Sequence, residues 1–430
     1  MTNPYPAWQP PPDFIPVESA LPGISVFAPR PQAAPVEAPQ TFQCPQCGAT
    51  TRFDVAAGGV ACEHCGFTAA PQAQKVGLRA EGLEFTLETL SQAEMGWGVD
   101  RKELHCEACG ADLALAANAL TATCPFCASN RVNVRSAPSD QLRPRFLIPF
   151  KVQPQATRAL AQTWLGQGWY HPDELGASAI VDRFTGVYLP FWTFGAQIAS
   201  TWKAEVGYER EERYYDSDDK TWKTRTEIDW RWEEGQISLN VADLLVSGSA
   251  HLSQVILKRL YPFNLNDLVS YAPDFLAGWQ AQTYEVTLPK AWEQGKAEMR
   301  ERAKSACQGQ IGSSHVRNFR MTADFAEETW RYVLLPVYLA AYKFENQVYQ
   351  VMVNGQTGTI AGQKPVAWWK IWLAVAAMLS PGLCLGLAGL PLLLVGGIGI
   401  VPLILGAIAL VAGLIGAFIL YQKAVASEAA

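Results

Sequence analysis

A chain of 430 residues has room for two or three domains. Its net charge of −6 argues against a protein built as a whole to grip nucleic acid, and its 49% hydrophobic content hides an almost wholly apolar C-terminal stretch. No charged-then-apolar leader opens the sequence, so its ten cysteines are expected to be metal ligands or buried thiols in a reducing compartment, not a disulfide framework.

Residues 1–40 hold eleven of the 28 prolines. Proline lacks the N–H that ladders and helices use, so this segment is expected to be a Pro-rich, extended or disordered tail. Residues 41–70 then carry Cys44, Cys47, Cys62 and Cys65. Residues 102–135 carry Cys106, Cys109, Cys124 and Cys127 at the same spacing, C-x2-C-x14-C-x2-C. Each CxxC makes a tight knuckle whose two thiolates face one metal, and two knuckles supply the four soft ligands of a tetrahedral site. The expectation is two zinc ribbons, each holding one structural zinc ion. Iron in a rubredoxin-like site satisfies the same ligands, but no electron-transfer partner motif accompanies it. A unit this small has almost no core, so bound metal must supply its folding free energy, roughly 10–16 kcal/mol. Residues 71–101 form a connector in which LEFTLETL reads equally as strand or helical turn, and Trp97 is a packing anchor.

Residues 140–365 read as a duplicated α+β body. Strand-like RFLIPFKV, a helix from Pro154 to about Gln167 and VYLPFWTFGAQIASTWKAEV form the first half. QTYEVTL, a helix from Pro289 to about Cys307 and VLLPVYLAAYKFENQVYQVMV form the second. Leu189-Pro190 and Leu335-Pro336 fall at matching places, and each half is expected to lay one helix on an antiparallel sheet. A charged hairpin, about Tyr208 to Trp232, interrupts the first half.

Residues 366–422 follow, and Ile371 to Gln422 are 52 positions without a charge. One membrane span takes about 20 apolar residues, so the run fits two, from about Trp369 to Leu390 and from about Gly399 to Tyr421. Small residues four apart, Gly382 and Gly386 on one and Ala409, Gly413 and Ala417 on the other, let the two helices approach closely. Lys364 and Lys370 precede the hairpin and Lys423 follows it. The positive-inside rule then places both ends in the cytoplasm, with 423–430 a short cytoplasmic tail.

Catalytic signatures are missing from the sequence: there is no G-x-x-x-x-G-K-[ST], H-E-x-x-H or G-x-S-x-G. Ser313 with His315 is a poor nucleophile–base pair, and Asp216 to Asp219 lack the Gly and Glu of a calcium loop. His171 and His251 stand alone, and Cys307 and Cys384 read as small buried apolar residues. A closed four-thiolate site leaves no open position for substrate. Nucleic-acid binding requires a basic stripe, yet 41–135 has seven Lys/Arg against ten Asp/Glu. Protein partners are therefore favoured over nucleic acid, and no small-molecule substrate is evident. The second reading is a membrane-tethered nucleic-acid-binding regulatory protein, which only the ribbon fold supports, and the third is an enzyme or transporter component using a pocket in the duplicated body.

Several stretches carry a family resemblance: CPQCGA, the GWG before the second ribbon, HCEACGA with CPFC, DLLVSGSAHL, YAPDFLAGWQAQTYEV, LLPVYLAAYKF and VNGQTGTIAGQKP. Together they resemble a bacterial family of double zinc-ribbon membrane proteins over nearly the whole chain after residue 40. Members are often labelled primosomal-helicase-like or TFIIB-type zinc ribbon proteins, although no helicase motor motif occurs in this sequence. Some relatives look like anchors for PspA-type and SPFH-type membrane-stress assemblies. The resemblance carries over no catalytic residues, only the eight cysteines; the closed metal sites, the acidic ribbon region and the apolar hairpin lead to the expectation of a non-enzymatic scaffold at the cytoplasmic face of the membrane.

Overall fold

The structure is a computed structural model. It describes residues 14–17, 26–29, 42–80, 82–84, 93–98, 101–116, 124–127, 129–137, 141–175, 184–218, 220–344, 347–393 and 399–428. Residues 1–40 form one unit and 41–430 another.

In the first unit, β1 (Phe14–Val17) pairs antiparallel with β2 (Val26–Pro29). This corrects the expectation of a tail without ladders. The physical reason lies in the register: Pro16 faces Phe27 and Pro29 faces Phe14. Both prolines therefore fall on one parity of the ladder, so a single choice of bonded positions spares both missing N–H groups.

The second unit opens with β3 (Arg52–Asp54), β4 (Gly59–Ala61) and β5 (Thr68–Ala69), a three-stranded sheet of its own. In the connector, β6 (Leu83–Glu84) settles the start of LEFTLETL as strand, while Phe85 to Leu90 lie outside the described residues. Trp97 is buried, and Tyr271 Oη donates to its carbonyl at 2.8 Å. Next come β7 (Arg101–Cys106), β8 (Asp112–Ala116) and β9 (Val132–Ser136).

The body follows as β10 (Phe146–Leu147), α1 (Pro154–Leu165), β11 (Thr185–Asp216), β12 (Thr221–Ser247), α2 (Gln254–Arg259), β13 (Val269–Ser270), β14 (Gln280–Gln282), α3 (Leu288–Gly309), β15 (His315–Phe344), β16 (Gln347–Asn354) and β17 (Ile360–Gly362). One twelve-stranded sheet runs β13-β10-β15-β11-β14-β8-β7-β9, with β6, β12, β16 and β17 as side branches. Helix α1 starts on Pro154, buries Thr157, Ala161 and Leu165 four residues apart, and stops before Gly166. Helix α3 buries Leu288, Ala291, Trp292, Gly295, Met299, Ala303 and Cys307 on one face. Gly295 lets it approach the sheet, because a Cβ there would lie 3.0 Å from the Phe194 ring.

The duplication is visible bond by bond. Leu189 pairs with Leu335 at the crossing of β11 and β15, so the two matched Leu-Pro steps straddle a pseudo-twofold axis. The halves share one sheet and exchange strands across that axis. β10 runs parallel to β15 of the second half, and β14 runs parallel to β11 of the first. Trp192 Nε1 donates to Val286 O at 2.9 Å, and the equivalent Tyr338 Oη donates to Val152 O at 2.6 Å. Gly248 N donates to Pro190 O and Gly355 N to Pro336 O, each at 2.8 Å. The carbonyl of Gly248 then accepts from Glu285 and Val286, as that of Gly355 accepts from Lys151 and Val152. An aromatic core of Phe150, Tyr188, Trp192, Trp330, Tyr332 and Tyr338 fills the crossing.

Two helices close the chain, α4 (Trp368–Leu393) and α5 (Ile400–Glu428). At 1.5 Å per residue they measure about 39 and 44 Å, longer than the roughly 30 Å hydrocarbon core of a bilayer. Both are long and apolar enough to span a membrane, and their outer faces leave Leu383, Leu387, Ile408 and Phe418 exposed. They cross on small residues. A Cβ on Gly382 would reach Leu410 at 2.6 Å, and one on Gly413 would reach the Met378 carbonyl at 2.6 Å. The partner of Gly382 is Gly406, which the four-residue spacing does not single out. Cys384, expected to be buried, is exposed on α4 because it faces away from this crossing, whereas Cys307 is buried as expected.

The root of the helical pair is fastened to the body. Lys364 N donates to Ser427 O at 3.0 Å, so α4 starts beside the point where α5 ends. Lys364 Nζ is buried over the Trp164 ring and donates to the carbonyls of Trp164 and Gln167. Lys370 Nζ bonds Asp173 at 2.7 Å and His171 O at 3.0 Å.

Candidate metal centres

The first centre is built by β3, β4 and the two knuckles flanking them. Gly48 and Gly66 follow the knuckles at φ of 72° and 76°, a backbone that L side chains resist. Each turn closes on its first cysteine: Gly48 N donates to Cys44 O and Gly66 N to Cys62 O. The second centre repeats the plan, with Gly110 at φ 79° donating to Cys106 O. Ala128, which stands where the fourth knuckle departs from glycine, lies outside the described residues.

All eight predicted cysteines converge. The Sγ atoms of Cys44, Cys47, Cys62 and Cys65 lie within 4.8 Å of one another, as do those of Cys106, Cys109, Cys124 and Cys127. Across the knuckles, Cys44 to Cys65 is 3.4 Å, and Cys47–Cys62, Cys106–Cys127 and Cys109–Cys124 are each 3.6 Å. These distances exceed the S–S bond of about 2.05 Å. They approach the roughly 3.8 Å edge of a tetrahedron with metal–sulfur bonds of about 2.3 Å. The donor set therefore fits one metal ion at each centre.

The thiols are placed so that ionising all four needs a cation. The N–H of Cys65, opposed by burial and assisted by that of His64, pulls Cys62 down to about 6; at Cys65 the Phe67 N–H pulls the same way, but crowding by Cys44 and the other thiols together with burial outweighs it and pushes Cys65 up to about 12. Burial opposes ionisation of Cys106, but the N–H groups of Cys109 and Ala108 overcome it and bring it to about 7. Burial pushes Cys109 up, and Cys124 to about 12. A bound divalent ion would supply the charge that lets the reluctant pair ionise.

The surroundings differ. Ribbon 1 meets the rest through Phe53, whose ring packs at a tilt against Phe275 with centroids 5.2 Å apart and whose N–H bonds Ala277 O at 2.9 Å. Its Cys47 and Cys65 are exposed. Ribbon 2 is part of the main sheet, since Leu113 and Ala114 of β8 pair with Gln282 and Ala281 of β14. Phe126, between Cys124 and Cys127, is buried, and its carbonyl accepts from Gln350 Nε2 of β16 at 2.8 Å. Arg101 is buried and donates to Leu276 O at 3.0 Å and Trp279 O at 3.4 Å. Beside the centre, Glu103 takes Arg135 at 2.6 Å and Asp112 takes His105 at 2.7 Å. Sequence reasoning missed Phe53, Arg101 and Phe126. The last had a local signal: a large apolar residue inside a knuckle of a unit with almost no core of its own.

The remaining polar candidates are occupied structurally. Ser313 Oγ donates to Gly207 O at 2.5 Å, and the His315 ring bonds Glu209 at 3.0 Å, while only the His315 backbone N–H meets the serine, donating to Ser313 Oγ at 3.1 Å. His171 is buried against Pro365 O at 2.8 Å. His251 faces Glu285 at 3.3 Å. Asp216 takes Lys223 at 2.6 Å, and Asp219 lies outside the described residues.

Two four-cysteine centres on an α+β body with a membrane-length helical pair define the class: a protein of membrane type that binds metal at two sets of four thiolates. The uncharacterised protein YdjG of Bacillus subtilis (strain 168) is 26% identical over 237 residues, spanning 54% of this chain and 67% of that one. No family model and no solved structure matches the chain.

Proposed function

We propose that this chain is a zinc-ribbon scaffold, held by its helical pair at the cytoplasmic face of the membrane, that recruits protein partners. The observation that carries this reading is the closed four-thiolate geometry of both centres. Such a centre leaves no open coordination position, so its chemistry suits folding a docking surface and not turning over a substrate. Zinc is the ion this donor set best accommodates, one per ribbon. The excess of ten Asp/Glu over seven Lys/Arg across residues 41–135 favours a protein partner over a phosphate backbone. The adjacency of Lys364 and Ser427 supports a hairpin that enters and leaves on one side. Lys370 and Lys423 flank it, which favours the cytoplasmic side. Recruitment in envelope stress is the process that the family resemblance implies.

Crosslinking in intact membranes, followed by affinity purification of the full chain, tests the reading. The expected result is a reproducible protein partner that is lost from a Cys44→Ser/Cys47→Ser variant whose body still melts normally. Recovery of the chain without any reproducible partner would overturn it, as would tight, salt-sensitive binding of DNA or RNA.

A further inference from the structure

The β11–β12 arm carries an inference independent of the scaffold reading. Beyond Gly207, β15 ends and only two strands continue, joined through a turn in which Lys220 takes a φ of 53°. Among the described residues from Tyr208 to Trp232, none is buried. A two-stranded ribbon is marginally stable in water and needs further strands or a covering helix. Among the described residues no strand or helix is laid over this stretch, whose nearest cover is Arg317 of β15 over the Trp230 ring at 4.0 Å near the root, and between Thr221 and Arg231 β12 pairs with one described strand, β11. Its other edge is an open row of N–H and C=O groups. Between Thr221 and Arg231 it carries neither proline nor a register shift of the kind that usually blunts such an edge.

The faces of this stretch are sharply divided. Lys223, Arg225, Glu227 and Asp229 point to one side, and Trp222, Thr224, Ile228 and Trp230 to the other. Two copies joined edge to edge about a twofold axis must keep like faces together, which restricts the antiparallel registers to those centred on a residue. Centring on Glu227 sets Lys223 against Arg231, and centring on Ile228 sets Arg225 against Arg231. Centring on Asp229 sets that aspartate against itself. Only centring on Thr226 matches every charge from 223 to 229. Lys223 then faces the partner's Asp229, and Arg225 faces the partner's Glu227. On the other face Trp222, exposed at 68%, meets the partner's Trp230. Opposite charges and aromatic pairs are the cross-strand contacts that stabilise sheets.

The geometry points to a second copy of this chain as the occupant: β12 pairs antiparallel with β12 about Thr226, making a four-stranded sheet from two hairpins. The full chain in nanodiscs tests this, in a Cys384→Ser background with both metal centres loaded. Directly opposed residues have Cα atoms about 4.5–5.5 Å apart, within the roughly 4.4–6.8 Å a disulfide accepts. Thr226→Cys should therefore give a reductant-sensitive dimer under mild oxidation. Thr224→Cys should not, because its copies lie roughly 13 Å apart, four residues out of register. Asp229→Lys and Lys223→Asp should each lose the dimer when alone and regain it when mixed, since only the mixture restores opposite charges. Unchanged circular dichroism and metal content guard against misfolding. No dimer at Thr226→Cys, equal crosslinking at Thr224→Cys, failure of the mixture to restore pairing, or crosslinking only to a different protein would each overturn the proposal.

Discussion

The two cysteine ribbons share one spacing and one thiol geometry, yet the body treats them differently. Ribbon 1 keeps its own three-stranded sheet and leans on the body through Phe53. Ribbon 2 has no separate sheet, because β8 hands its hydrogen bonds to β14 and β14 hands its own to β11. The same motif thus makes an appendage in one place and a structural wall in the other. The lesson is that a metal knuckle specifies its own turn, while the strands beside it decide what that turn supports.

The largest break in this comparison should come from removing a ligand of the second centre. Cys106→Ser or Cys124→Ser forfeits metal binding worth roughly 10–16 kcal/mol in such ribbons and frees the outer strands of the main sheet. The expected outcome is loss of the cooperative melt of the body or failure of the chain to accumulate. Cys44→Ser should remove one metal ion by elemental analysis and leave that melt nearly in place.

Phe53→Ala is next. It empties a buried aromatic position, a loss of about 3–5 kcal/mol at the ribbon 1 contact. Limited proteolysis should then release residues 42–70 early, with the second centre still metallated. Arg101→Met follows. It leaves the Leu276 and Trp279 carbonyls without their donor at about 1–3 kcal/mol, read as a lowered midpoint in denaturant.

Acid sharpens the comparison, since protons compete with metal for thiolates and lowering the pH releases the ion. The exposed pair Cys47 and Cys65 should make the first centre empty faster than the second, measured as chelator-dependent metal release. The smallest effect is at Lys364, which burial lowers to about 8. Between that value and 10.5 the unfolded chain holds more protons than the folded one, so stability should rise with pH across this window. Lys364→Met should flatten that slope.

Much of this was legible in the residues. The cysteine spacing pointed to both centres because a CxxC turn is local and needs only a following glycine or its equivalent. The helical pair was readable from its charge-free length, and α1 and α3 from a first-turn proline and the matching order of parts in the two halves. The strand exchange between halves was not, because parallel pairing of Phe146 with Val333 depends on contacts far apart in sequence. The merging of ribbon 2 with the body was hidden for the same reason. Nothing in DLALA says that its free edge will meet Ala281. Gly406 was missed because the close approach of two helices depends on their relative rotation as well as on small-residue spacing.

The most direct test of the central claim is hydrogen exchange on the full chain as metal is withdrawn stepwise, with metal content followed in parallel. Two zinc ions per chain are expected at the start. Loss of the first ion should raise exchange only in β3 to β5, and loss of the second should raise it in β8, in β14 and along β11. Exchange in β8 and β14 that stays unchanged with both centres empty would contradict the account.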